Sequence, residues 1–73
     1  MKITSTMEFG RTIRNKRKKL GYTQALLSKY TGFSIRFISD LENGKETAEL
    51  GKALFLLQLL GLDLAINNRG EGV

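Results

Sequence analysis

Apolar residues recur at helical spacing along most of the chain, and glycines interrupt the pattern at four places. Each of these glycines stands where a left-handed residue would end a helix; they are Gly21, Gly32, Gly44 and Gly61. Each apolar run is preceded by a hydroxyl side chain that can accept a hydrogen bond from the first helical turn; these are Ser5, Thr23, Ser34 and Thr47. The sequence therefore predicts four helices, ending near residues 20, 30, 43 and 60.

The first predicted helix has one charged residue on its apolar side. Its apolar stripe consists of Phe9, Ile13 and Leu20, and Ser5 with Glu8 three positions later predicts a capping box at its start. Arg17 falls on the stripe, so we expect its stem to be buried against the core. A buried cation needs a partner of opposite charge.

Beyond Gly61 the apolar residues alternate instead of following a helical period. Leu62, Leu64 and Ile66 alternate with more polar or smaller residues, which predicts a half-buried strand over 62–66. Nothing else in the chain would pair with a lone strand, and the expected cover is the same segment of a second copy. The sequence therefore predicts a homodimer.

The fourth predicted helix is apolar on two sides, which also favours a dimer. We expect Leu50, Leu54 and Leu57 to face the core. Phe55, Leu56 and Leu59 are then left for another surface. The residues predicted to form the dimer interface are Phe55, Leu59, Leu62, Leu64 and Ile66.

Composition limits the class of protein. A chain of 73 residues without His or Cys predicts one domain, 1–73, with no disulfide, no metal site, no cofactor and no usual catalytic constellation. The net charge of +5 favours a polyanionic partner, which could be nucleic acid, an acidic protein or a membrane surface. Neither a secretion signal nor a membrane-spanning stretch is recognisable, so a cytoplasmic protein is expected.

Residues 24–43 predict a helix, a tight turn and a second helix. The positions where the two helices face each other and the core are occupied by Leu27, Thr31, Phe33, Ile38 and Leu41. Thr23-Gln24, the glycine turn and the sequence LENGK at 41–45 resemble the helix-turn-helix of the lambda-repressor-like, or Xre, family, over about residues 10–60. The resemblance implies an all-α, compact four-helix domain that binds double-stranded DNA.

A helix-turn-helix lays its second helix in the major groove of DNA. The candidate base-reading residues are Ser34, Ile35, Arg36, Ser39 and Asp40. Arg36 is the strongest candidate, because its guanidinium can bind the O6 and N7 acceptors of guanine. The candidate phosphate-binding residues are Gln24, Asn43 and Lys45. Asn43-Gly44 could instead be only a helix stop, and the basic run at 11–19 could be a solvated face or a flank touching phosphate.

The resemblance also implies a buried ion pair, because members of this family join an arginine near the end of the first helix to a glutamate near the end of the third. Arg17 and Glu42 match these positions. The sequence departs from the family pattern at Leu26 and Tyr30, where polar residues are usual. We expect Leu26 to be exposed to solvent, with a partner contact as the alternative.

Residues 46–66 resemble HipB-type antitoxins, in which a helix ends at LGLD and a short strand follows. That resemblance implies a homodimeric repressor that binds an inverted-repeat operator of its own operon and a kinase-like toxin of the HipA type. The alternatives are a free-standing Xre-type repressor of a phage or mobile element and a module that bridges other proteins.

Overall fold

The computed structural model describes residues 2–70, so the predicted domain limits at residues 1 and 73 lie outside the described residues. In this part of the chain there are four helices and no strand. The helices are α1 (Thr6–Lys19), α2 (Gln24–Thr31), α3 (Ile35–Glu42) and α4 (Leu50–Leu59). The all-helical, four-helix architecture predicted from the sequence is confirmed.

Three of the four helices begin at the hydroxyl residue that the sequence indicated. The side chains of Ser5, Thr23 and Ser34 each accept a hydrogen bond from the backbone N–H three residues later. The carboxylate of Glu8 accepts the N–H and the hydroxyl of Thr4, at 2.7 and 2.8 Å. The hydroxyl caps satisfy first-turn donors that have no partner inside the helix. The Glu8 side chain bonds to Thr4 instead of to the Ser5 N–H that the predicted capping box would use.

The fourth helix begins later than predicted. Its cap residue is Glu49, without a side-chain hydrogen bond, and the prediction that Thr47 caps it is wrong. The residues before it are tied to the end of α3, since the Lys45 N–H donates to the Asp40 carbonyl at 3.0 Å. The Ala48 N–H in turn donates to the Lys45 carbonyl at 3.4 Å. This turn delays the start of the helix.

The core is built from all four helices. Its buried apolar residues are Ile13, Leu27, Ile38, Leu41, Ala53, Leu56, Leu57 and Leu60. Partly buried side chains pack around them, namely Phe9, Phe33, Phe37, Ala48, Leu54 and Leu62. The core residues predicted for the helix-turn-helix are buried or partly buried.

Four apolar residues are placed differently from the prediction. In α4 the buried face runs through Ala53, Leu56 and Leu57, so Leu56 is a core residue and not an interface residue. Leu50, in the first turn of α4, lies off this buried face and is 64% exposed. Leu20 is exposed because it follows the last turn of α1, and Leu26 is partly buried instead of exposed.

The predicted strand over 62–66 is not formed in the single chain, where these residues follow α4 without regular secondary structure. Leu62 packs against the core, and its N–H donates to the Leu57 carbonyl at 2.8 Å. Leu64 and Ile66 are exposed. Among the described residues, no helix is both long and apolar enough to cross a membrane.

Candidate nucleic-acid interface

The turn between α2 and α3 is fixed by a glycine and by side-chain hydrogen bonds. Gly32 has a φ of 76°, and its N–H donates to the Ser28 carbonyl. The Ser28 hydroxyl donates to the Phe33 carbonyl at 2.6 Å, and the Phe33 N–H donates to the Thr31 hydroxyl at 3.0 Å. The N–H and the carbonyl of Phe33 are therefore both hydrogen-bonded to side chains of α2. These bonds restrain the turn that joins α2 to α3.

The outer side of α3 carries the predicted base-reading residues. Ser34 and Ile35 are exposed at its start, and the Arg36 side chain is 90% exposed. Ser39 and Asp40 follow one turn later and are partly exposed. Since Ile38 and Leu41 point into the core, these five residues form one continuous surface.

Asp40 lies between two cations of this surface. Its carboxylate oxygen Oδ2 is 3.9 Å from Nε of Arg36 and 3.6 Å from Nζ of Lys45. The two cations predicted to contact bases and phosphate therefore share one acidic neighbour in the free protein. Like all exposed ion pairs, this contact contributes little to stability.

Arg17 and Glu42 form the ion pair that the resemblance implied. The guanidinium donates through Nε to Oε2 at 2.7 Å and through Nη2 to Oε1 at 2.9 Å. The two side chains are only 8% and 1% exposed. The third guanidinium nitrogen, Nη1, donates to the Tyr22 carbonyl at 2.8 Å. Hydrogen bonding to Glu42 raises the pKa of Arg17 above its ordinary value and outweighs the opposing effect of burial.

Gln24 is joined to the same pair. Its side-chain nitrogen Nε2 donates to Oε1 of Glu42 at 3.1 Å. Three helices are thereby connected, because Arg17 lies on α1, Gln24 opens α2 and Glu42 ends α3. Within residues 2–70, every buried side-chain nitrogen and oxygen has a hydrogen-bond partner.

A cleft of about 370 Å³ opens above this network, between α1, α2 and the end of α3. We call it the three-helix cleft; its lining residues are Met7, Arg11, Arg14, Gln24, Glu42 and Asn43. Two of the predicted phosphate-binding residues, Gln24 and Asn43, thus meet in one place. Lys45 does not, and lies instead in a groove beside Arg36 and Asp40.

Arg11 and Arg14 are the residues that sequence reasoning did not assign individually. In the sequence they belong to the basic run at 11–19. Their separation of three residues places both on one side of α1. The sequence carried no signal that this side faces Gln24 and Asn43. That placement depends on how α1 packs against α3.

The predicted dimer residues lie outside the fully buried core, on α4 and in the segment that follows it. Phe55, Leu59, Leu64 and Ile66 are exposed, whereas Leu62 is partly buried. The Phe55 ring also meets Phe33 edge to face, with a centroid distance of 5.9 Å. In the single chain, Phe55 is 51%, Leu59 44%, Leu64 49% and Ile66 93% exposed.

The helix-turn-helix family model matches residues 13–67. An "Uncharacterized HTH-type transcriptional regulator y4mF" of Sinorhizobium fredii (strain NBRC 101917 / NGR234) is 40% identical over 70 residues, 96% of this chain and 92% of the relative. Similar solved structures include "HipB-O4 20mer complex", with a TM-score of 0.84, 27% identity, and coverage of 96% of this chain and 99% of the other.

A second similar structure is "Structure of HipA-HipB-O2-O3 complex". It has a TM-score of 0.84 and 27% identity, and the match covers 96% of this chain and 99% of the other. The family match extends from α1 through the segment that follows α4. The chain therefore belongs to the Xre-like helix-turn-helix family of transcriptional regulators, and its fold is that of HipB.

Proposed function

We propose that the protein is a sequence-specific transcriptional repressor that reads an inverted-repeat operator through α3 as a homodimer. The observation that carries the proposal is the exposed side of α3, with Arg36 at its first turn, held on a rigid frame by the buried pair of Arg17 and Glu42. A helix of this kind enters the major groove, where Arg36 binds guanine.

The base-reading surface consists of Ser34, Ile35, Arg36, Ser39 and Asp40. Ile35 is suited to contact a thymine methyl group, and Ser34 to contact a base or a phosphate while it caps α3. Gln24, Asn43 and Lys45 bind the DNA backbone on either side of α3 and set its register. The net charge of +5 favours rapid encounter with DNA.

The homodimer interface consists of the apolar residues Phe55 and Leu59 on α4 together with Leu62, Leu64 and Ile66 in the segment that follows. The exposure of Phe55, Leu59, Leu64 and Ile66 in the single chain supports this assignment. In the dimer, the 62–66 segments of two copies pair as strands across the two-fold axis. The spacing of the two α3 helices then sets the spacing of the operator half-sites.

The finer part of the proposal is an antitoxin role. It is supported by the likeness to HipB, which one of the similar structures contains together with HipA. The partner is a kinase-like toxin that binds the outer side of α1 and α2, where Tyr30 of α2 is exposed and Leu26 partly exposed. Because coupling is reciprocal, a toxin that strengthens operator binding by some factor binds the DNA-loaded dimer more tightly by the same factor.

Selection of bound sequences from random duplex DNA tests the DNA-reading proposal. We expect an enriched inverted repeat, and no enrichment would favour the module that bridges other proteins. Arg36→Ala should cost about 1–3 kcal/mol per base pair it contacts and relax the preference there, whereas Lys45→Ala should weaken all sequences alike. Equal loss on operator and random DNA for Arg36→Ala would remove it from the base-reading set.

Co-purification with the product of a neighbouring gene tests the antitoxin role. We expect a kinase-like neighbour to bind this chain and to be neutralised by its co-expression. If no such neighbour is encoded, or if it does not bind, the free-standing repressor becomes the better description. The assignments on α3 do not depend on this result.

A further inference from the structure

The three-helix cleft combines two cations with two amide side chains from different helices. Arg11 and Arg14 line it from α1, while Gln24 and Asn43 line it from the start of α2 and the end of α3. Both arginines are exposed, and neither forms an ion pair with any other residue described between 2 and 70. Their guanidinium groups are therefore available to an anion.

The carboxylate in the cleft does not oppose an anion. Both oxygens of Glu42 are bound by the guanidinium of Arg17, and Oε1 also accepts from Gln24. The charge of Glu42 is thus compensated inside the protein. The charge that remains in the cleft is that of Arg11 and Arg14.

The hydrogen bond to Glu42 also orients Gln24. An amide nitrogen has two N–H donors, and one of them is used by Glu42. Within residues 2–70 the second donor has no hydrogen-bond partner, and Gln24 lines the cleft. Gln24 is also the first residue of α2, where the backbone N–H has no intrahelical partner and the positive end of the helix favours an anion.

We propose that the three-helix cleft binds one phosphate of the DNA backbone, and that Arg11 and Arg14 make α1 part of the DNA interface. This inference rests on the proposed function for the identity of the anion. The cleft lies at the start of α2 and the end of α3, beside the helix that enters the groove. Guanidinium groups suit phosphate because their planar fork donates to two oxygens at once.

The test compares two double variants of equal charge on α1. Arg11→Gln with Arg14→Gln removes the cleft cations, and Lys16→Gln with Lys19→Gln removes two cations with the same spacing that do not line the cleft. Binding to the selected operator and to random duplex DNA is measured over a range of salt concentrations. Arg11→Lys with Arg14→Lys retains the charge.

We expect the cleft variant to weaken binding to operator and to random DNA by a similar factor. We also expect it to reduce the slope of log Kd against log salt by about 0.9 for each phosphate that is no longer bound, hence about 1.8 for a dimer with two clefts. The control variant Lys16→Gln with Lys19→Gln (the lysine control) should keep most of the slope. The charge-retaining variant Arg11→Lys with Arg14→Lys should also keep most of it. Equal reductions in the cleft variant and the lysine control would overturn the inference.

The salt dependence of binding to random duplex DNA distinguishes a failure of this inference from a failure of the proposed function. If the chain selects no sequence but the cleft variant still shows a larger fall in slope than the lysine control, sequence reading fails and the phosphate cleft stands. If the chain selects an operator and the two variants behave alike, the repressor stands and the cleft does not.

Discussion

Arg17 shows how a single residue links the pattern of a sequence to a fold. It lies on the apolar side of α1, and its three guanidinium nitrogens bind the Glu42 carboxylate and the Tyr22 carbonyl. The hydrogen bond from Gln24 to Glu42 joins α2 to the pair. One buried ion pair thus positions the start of α2 against the end of α3.

Breaking this pair should destabilise the fold strongly. Glu42→Gln leaves the buried Arg17 charge uncompensated, and we expect a loss of about 3–5 kcal/mol in the free energy of unfolding. Replacing both partners with apolar residues, as in Arg17→Met with Glu42→Leu, should cost less than the sum of the single changes. Urea unfolding of the wild type, the single variants Arg17→Met and Glu42→Leu, and the double variant measures the difference, and additive losses would contradict it.

Glu8 predicts a dependence of stability on pH. The backbone N–H and then the hydroxyl of Thr4 lower the pKa of Glu8 below its ordinary value of 4.5. The unfolded chain therefore takes up the proton first, so this stabilisation is complete above pH 4.5 and is lost as pH falls through the folded pKa. Thermal unfolding in acid should show a weaker pH dependence for Glu8→Gln than for the control Glu46→Gln.

Asp40 predicts a trade between affinity and specificity. Its carboxylate contacts Arg36 and Lys45 and repels phosphate, so Asp40→Asn should strengthen binding to random DNA. If Asp40 also orients Arg36, the ratio of operator to random affinity should fall. Competition binding at fixed salt measures both quantities. Unchanged affinity for random DNA would show that Asp40 does not restrain these cations.

At the scale of elements, α1 and α3 pack unusually closely. A Cβ atom on Gly10 would collide with the carbonyl oxygens of Leu41 and Glu42 at the end of α3. Gly44, with a φ of 85°, approaches the backbone of Met7 in the same way. The position of the three-helix cleft follows from this packing, because it brings Arg11 and Arg14 beside Asn43.

Two glycines in helices should respond in opposite directions to the same substitution. Gly10→Ala overpacks the contact between α1 and α3 and should cost about 1–3 kcal/mol. Gly51 lies in α4 with nothing within 4 Å of an added Cβ, so Gly51→Ala should stabilise the protein by up to about 1 kcal/mol. Urea unfolding gives both values. Destabilisation by Gly51→Ala would show that α4 needs the open space around this residue.

At the scale of the whole molecule, the single chain buries a core and leaves an apolar surface beyond it. Leu64 and Ile66 are exposed, and Ile66 reaches 93%. Chains of this size often depend on an additional source of stability, and a disulfide is excluded by the absence of Cys. A second copy is the source that we propose.

Sedimentation should give a mass of about 16 kDa, twice the 8.2 kDa of one chain. Ile66→Asp should produce a folded monomer with weak operator affinity, because the side chain makes little contact within its own chain. Tyr30→Asp is the matched control, because Tyr30 is also a large exposed side chain but does not belong to the predicted interface. A dimer that survives Ile66→Asp and Leu64→Asp would contradict pairing through 62–66.

Local sequence accounts for the features that depend on neighbouring residues. Helix caps at Ser5, Thr23 and Ser34 and the left-handed glycines act within one turn of the chain, so the ends of α1, α2 and α3 follow from local chemistry. The same holds for the burial of Arg17, which follows from the period of α1.

Packing in three dimensions sets which elements approach one another in space. A helical period shows which side of a helix is apolar but not which element covers that side. For this reason Leu50, expected in the core, is exposed, and Leu56, expected at another surface, is buried. The three-helix cleft likewise exists because Gly10 lets α1 lie against α3, at a separation in sequence that spacing rules do not reach.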